Sequence, residues 1–536
     1  MGIRKRAVAW TASFALLTLA VLPPGPAILA ASPDAAVRRL RGSEALGRAY
    51  DTILNGRIDL LEAELARACP PAPVEACQLL RVTANWWRIQ ADTNSRALDE
   101  SFVRDVDAAI GAAEVWTRRS PREAEAWFYL GAAYALRVQF RVLREEKLAA
   151  ARDGKRIKQA LERAVALDPK LNDAYFGIGL YQYYADVAPA ALRFLRWLLL
   201  LPGGNKTEGL QRMLRTQSSG EVLRGEAEFQ LHIIYLWYER RPDRAVAVLE
   251  RLHGRYPQNA LFPLLIGDIQ DIYFHDPTAA LDTYAGVLAA AREGEVADAK
   301  MAETKARLGM ARQLDLLVET DRAIDHLKAV LDLRPEAPYS AKALAALRLA
   351  FAYDRMGQRD LASAAYRSAI AAAPADDPLD IVSQAQHGLS ERSDVRMTEA
   401  YRLSLDGWRA LERNDLDHAE SSLKRALDLR AEDPVTQYRW GRLRQARGDD
   451  DQAIAALEHA IRLRTSCPPT VLGAAFLEAG RLHERAGRRD RAAAMYRGAS
   501  GVFGASSETR ATAQRLLARL TASNPAGAIT RGGVRR

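Results

Sequence analysis

The chain has 536 residues, 49% hydrophobic and 27% charged, a balance that fits a folded soluble protein and excludes global disorder. Its formal net charge of +9 is a mild excess over that length, with acidic residues interleaved almost everywhere, so nucleic acid is not an expected partner. Alanine, leucine and arginine recur throughout, and no sustained alternation of Val, Ile and Thr is present, which predicts an all-helical chain.

The N-terminus reads as an export signal. Arg4, Lys5 and Arg6 form a positive start, 7–22 an apolar run, and the residues after it a helix-breaking, small-residue stretch. That run is shorter than the roughly 20 residues a spanning helix needs, so removal of 1–31 is expected rather than retention as an anchor. The implied location is exported: periplasmic or associated with a bacterial cell envelope. Cys69 and Cys77, in CPPAPVEAC, are spaced either to close a small disulfide loop between two helix ends in an oxidising compartment or to remain two thiols. Cys467 is left over, and three cysteines with no CxxC pair make no metal site. Residues 33–119 are expected to be helical with degenerate repeats, and Trp86, Trp87 and Trp116 are its packing anchors.

From about residue 120 a repeat emerges. Trp127, Leu130, Gly131 and Tyr134 have the spacing W-x2-L-G-x2-Y and share one helical face. Leu161, Ala164 and Pro169 then close a second helix. That second-helix pattern is an Ala, a large apolar residue four later, and a small or apolar residue three after that. It recurs at Ala245, Leu249 and Leu252; at Ala323, Leu327 and Val330; and at Ala362, Tyr366 and Ala369. Further copies are Ala419, Leu423 and Ala426; Ala453, Leu457 and Ala460; and Ala492, Tyr496 and Ala499, with a weaker one at Ala280, Tyr284 and Val287. Gly448 and Gly487 stand five residues before Ala453 and Ala492, where a glycine ends the first helix of a pair.

On these residues the chain resembles the tetratricopeptide repeat proteins from about residue 120 to 522. The resemblance implies an all-α solenoid, a right-handed superhelix of helix hairpins whose concave groove holds peptides or protein segments, and it implies no reaction. The expected organisation is a solenoid with elongated helices at 120–374, a loop or bend at 375–396, a second block with a capping helix at 397–522, and a disordered basic tail at 523–536. The long spacing from Trp127 to Tyr175 predicts that both helices of that hairpin gain about two turns each.

Within 175–210 three other chemistries are imitated. Gly177 and Gly179 begin a dinucleotide fingerprint, but Gln182 replaces its third glycine. Asn205 separates the glycines from Lys206, so GGNKT is not a phosphate loop. The apolar run 187–201 contains Arg193 and Arg196 and is too short to span a bilayer. A helix packed inside the solenoid is the expected reading. The alternative is a membrane-surface or lipid-associated protein that lays this helix, through Phe194 and Trp197, at peripheral contact with headgroups. The stretch also resembles, locally, a segment of eukaryotic repeat proteins linked to mitochondrial outer membranes.

No catalytic motif stands out. The eight histidines are scattered, HERAG at His483 lacks the second histidine of a zinc helix, and no GxSxG occurs. A non-enzymatic scaffold without cofactor or metal is expected, binding a protein or peptide segment; its oligomeric state is not written in the sequence. The resemblance places positions twelve and thirteen of each unit toward the groove. Those positions and their neighbours nominate Tyr183, Tyr184, Trp237, Tyr238, Trp408, Tyr438, Arg442, Arg481 and Arg485 as partner-binding residues, of types that favour binding hot spots.

Overall fold

Helix starts follow local chemistry. The side chains of Asp394, Asp415 and Asp433 accept backbone N–H bonds at the heads of helices Val395–Glu412, Leu416–Leu429 and Pro434–Ala446. Each such cap contributes about 1 kcal/mol. Helix ends follow backbone geometry. Gly357, Gly448 and Gly487 turn the chain between paired helices at φ +72, +82 and +70°. Other hairpins make the same left-handed turn without glycine, at Glu145, Arg240, His275, Val318 and Asn414.

The computed structural model describes residues 40–187, 203–392 and 394–522. The expected export signal 1–31, the apolar helix 187–201 beyond Val187, and the tail 523–536 lie outside the described residues. Among the described residues every regular element is helical. The architecture is an all-α solenoid of antiparallel helix pairs. All the recurring Ala, large and small triads of the second helices are buried. They are buried because each large residue sits on the neighbouring first helix. A Cβ added at Gly441 would lie 2.8 Å from Leu457 Cγ, and one at Gly480 would lie 2.6 Å from Tyr496 Cε1. The elongated hairpin is Ala124–Leu143 with Lys147–Leu167, of 20 and 21 residues, against 14 in a helix such as Thr320–Leu333. Its turn comes at Arg144–Glu146, ahead of RDGKR, and Asp153 is buried inside the second helix, where Arg137 Nε donates to it at 2.7 Å.

The chain divides into two compact units, Met1–Phe262 with Glu293–Ala299, and Pro263–Arg292 with Lys300–Arg536. In the first unit, helix Ser43–Leu54 does not stand apart as a leader to the repeats. Tyr50 Oη donates to Glu226 at 3.0 Å, Asp51 accepts from Tyr256 Oη at 2.6 Å, and Asn259 Nδ2 donates to the Leu54 carbonyl at 2.7 Å. Cys69, at the end of helix Leu61–Ala68, is joined by a disulfide to Cys77 in the first turn of helix Val74–Ala91. On that helix, the Trp87 ring packs on Phe229 and Phe262, with centroids 4.8 and 6.2 Å away.

The second unit contains two stacks. Three hairpins run from Leu261–Ile272 to Arg359–Ala372. Within 375–396 lies a helix, Ile381–Ser390, whose Ile381 and Ala385 are fully buried against the Tyr366 core. Three more hairpins follow from Val395, and helix Ser507–Ala522 covers the last one through Leu516, Leu517 and Leu520. The second stack folds back onto the interhelix turns of the first. Val318 packs with Val435, Cys467 and Val471, and Arg439 Nη2 donates to the Val318 carbonyl at 2.8 Å. Thr320 Oγ1 and Tyr401 Oη are 2.7 Å apart, and Arg409 grips Asp321 with two bonds of 2.7 Å. One turn earlier, the Ser507 N–H donates to Asp276 at 2.6 Å.

Candidate partner-docking surface

The nine nominated residues fall into two clusters, one in each unit. In the first unit Tyr183, Tyr184 and Tyr238 meet edge to face, with centroids 5.2 to 5.9 Å apart. Tyr183 is 0% exposed and its hydroxyl donates to Glu239. It is therefore core, and the expectation that it faces a partner is corrected: a ring packed among Phe176, Met213 and Leu231 has no surface to offer. Burial raises the phenols of Tyr183 and Tyr184 well above the usual range and pushes that of Tyr238 up to about 12, so all three stay neutral. Tyr184 and Tyr238 are half-buried, while Trp237, at the end of the same first helix, is 43% exposed.

In the second unit Trp408 and Tyr438 lie 6.1 Å apart, Arg439 stacks over Trp408, and Arg442 Nη1 donates to Tyr438 Oη at 3.1 Å. The chain itself uses this shelf, because Tyr438 packs in the Val318 cluster. Arg481 and Arg485 are exposed and paired with Glu478 at 2.6 Å and Asp450 at 3.0 Å. The exposed Arg485–Asp450 pair contributes little to stability, whereas Glu478, the partner of Arg481, is buried.

At the repeat that starts with helix Ala124–Leu143 the groove face is filled as well. Counted from Ala124, with Gly131 eighth, positions twelve and thirteen are Ala135 and Leu136. Both line a mostly apolar cavity of about 60 Å³, shared with Leu46, Tyr50, Leu79 and Phe176. A dry cavity of about 150 Å³ is needed to seat even benzene. Helices preceding residue 120 therefore occupy the face where a ligand was expected.

One inner face keeps both exposure and charge, and the sequence reading passed over it. It belongs to the first helices of the first stack in the second unit. Ile272 is 50% exposed, Leu316 49% and Phe351 37%. Counting each unit from its buried Tyr284, Leu327 or Tyr366 as residue 24, these are positions twelve, thirteen and nine. Among them Arg312 Nε pairs with Asp271 at 2.9 Å, and Arg348 donates to the Leu308 carbonyl at 2.7 Å. Burial, with Arg312 adding repulsion, pushes the Arg348 guanidinium down to about 10, still charged at neutral pH. Ile272 and Leu316 stand at positions twelve and thirteen and Phe351 at position nine, the same positions as the nominated residues; the expectation singled out other units, and aromatics and arginines rather than aliphatic side chains.

Among the described residues no cluster of three His, Cys, Asp or Glu side chains is placed to hold a metal ion. Among them too, no helix is long and apolar enough to cross a membrane. Burial pushes the Cys467 thiol up to about 12, which leaves it unreactive.

Comparison with known proteins agrees with the geometry at one repeat. A tetratricopeptide repeat family model matches residues 343–376, the hairpin Ala341–Arg355 with Arg359–Ala372. Solved structures similar to this chain include a tetratricopeptide repeat protein from Parabacteroides merdae ATCC 43184, at 16% identity and TM-score 0.24, covering 55% of this chain and 98% of that one. Yeast Tom70 is similar at 12% identity and TM-score 0.24, covering 81% and 96%. The apo form of RapI is similar at 11% identity and TM-score 0.30, covering 79% and 97%. No curated protein matches the chain.

Proposed function

We propose that this chain, which matches a tetratricopeptide repeat model at residues 343–376, is a non-enzymatic scaffold that holds a protein or peptide segment against first-helix surfaces left open by its own packing. The observation that carries this reading is Trp237. It is a large aromatic at position twelve of its unit, 43% exposed, and its chain neighbour Tyr238 packs in the tyrosine cluster. Exposed aromatics of that kind contribute strongly to binding energy at interfaces.

The compartment in this proposal is outside the cytoplasm, periplasmic or at a bacterial cell envelope. The Cys69–Cys77 bond supports it, since such bonds persist in oxidising surroundings, and so does the basic then apolar start of the sequence. A photo-crosslinker placed at Trp237 of the full chain, in cells that produce it, tests the reading. The expected result is a discrete adduct with one protein or a small set, lost when the label is moved to Glu250. An identical adduct pattern from both positions, or none from either, overturns it.

A further inference from the structure

Three consecutive first helices meet at the open face of the second unit, and their polar groups do not balance. Asp271, Arg312 and Arg348 come from Leu261–Ile272, Ala299–Leu316 and Ala341–Arg355 respectively. Asp271 is buried and satisfies Arg312 at 2.9 Å. Arg348 is left with a carbonyl, and no carboxylate lies within ion-pair distance of it among the described residues. Asp315, the next acid along, is already held by Arg355. Asp268 accepts from Tyr284 Oη at 2.7 Å, and burial raises its carboxyl. The face therefore has three guanidiniums, Arg312, Arg348 and Arg355, and two committed acids, Asp271 and Asp315. Apolar side chains share these helices: Leu316 is one turn beyond Arg312, Phe351 is three residues beyond Arg348, and the exposed Ile272 is the last residue of the helix that carries Asp271.

We propose that this face binds a protein segment in which Asp or Glu side chains are interspersed with large apolar ones, an acidic side chain pairing with Arg348 while its neighbours cover Ile272, Leu316 and Phe351. The inference rests on the scaffold reading above and names the partner's chemistry. The occupant is acidic because only an anion gives Arg348 the carboxylate it lacks, and a planar carboxylate fits a guanidinium fork with two parallel bonds. It is a segment, not a free anion, because the three exposed apolar side chains gain nothing from an ion. Nucleic acid is disfavoured by Asp271 and Asp315 on the same face.

The test uses fluorescence anisotropy on the full chain with two labelled, acetylated and amidated peptides. One has Leu at every third or fourth position with Glu between; the other carries Lys in place of Glu. Saturable binding of the Glu peptide and none of the Lys peptide is expected. Arg348→Met and Phe351→Ser should each weaken it roughly tenfold. Phe351 is partly exposed, so its variant keeps the fold, which circular dichroism verifies. Equal binding of both peptides, or unchanged affinity in both variants, overturns the proposal. Competition by millimolar inorganic phosphate with no effect of Phe351→Ser also overturns it, in favour of a simple anion site. Failure here alongside a Trp237 adduct leaves the scaffold reading standing; failure of both removes it.

Discussion

At the scale of single residues, one buried imidazole makes the first unit sensitive to acid. His232 is buried beneath the Phe229 ring, 4.5 Å between centroids, and burial holds it at about 4, below the 6.5 of an ordinary histidine. A native state that refuses a proton is most stable where the unfolded chain carries none. Stability is full above about pH 6.5, and as pH falls toward 4 the unfolded chain takes up the proton and gains on the native state. One such group accounts for a loss of roughly 3 kcal/mol across that window. Burial also lowers His253 in the same unit, so it adds to the same slope, and it lowers His326 in the second unit. Urea unfolding at pH 7 and pH 4.5 should show the loss, and His232→Gln should flatten the pH dependence without abolishing it. The core around such residues was legible in the sequence wherever a small residue faced a large one, as at Ala453, Leu457 and Ala460, because that pattern is periodic along a helix. Tyr183 was misjudged because helical spacing assigns a face, while the depth of that face depends on neighbours such as Phe176 and Leu231 that come from elsewhere in the chain.

At the scale of elements, the interhelix turn is the feature that letters alone conceal. Gly448 and Gly487 were readable as helix ends because glycine adopts a left-handed backbone without cost. Val318, at φ +63°, makes the same turn with a β-branched side chain, a conformation that costs about 1–2 kcal/mol. It persists because the surrounding structure holds it. Its side chain is packed by the second stack, its carbonyl is bonded by Arg439, and the adjoining Asp321 is gripped by Arg409. Burial raises the Asp321 carboxyl, and the Arg409 fork outweighs it, so the net position is below the usual range. Replacing Arg409 with Met should cost about 1–3 kcal/mol, the penalty for stranding a partly buried hydrogen-bonded acid. Hydrogen exchange should speed up at 315–321 and 398–409 and leave the Cys69–Cys77 region unchanged. Equal exchange in both proteins at 315–321 would show that the grip is incidental.

At the scale of the whole molecule, a stacked fold has ends, and each end needs a cover. Helix Ser507–Ala522 provides one: Arg519 pairs with Glu484 at 2.7 Å, Arg489 donates to the Leu520 carbonyl at 3.0 Å, and Leu520 is buried. Truncation after residue 506 should uncover Phe476 and Leu477, lower the melting temperature by several degrees, and produce concentration-dependent association in light scattering. Repeat type and the terminal cover were legible because both are local patterns. The return of the second stack onto the first was not, since contacts such as Thr320 with Tyr401 join residues 81 apart with no periodic mark in the chain. That return has a kinetic consequence. Whatever seeks the shelf around Tyr438 must first wait for Val318 to leave it. Its observed association rate should therefore climb with concentration only until it meets the rate of that departure, and then level off.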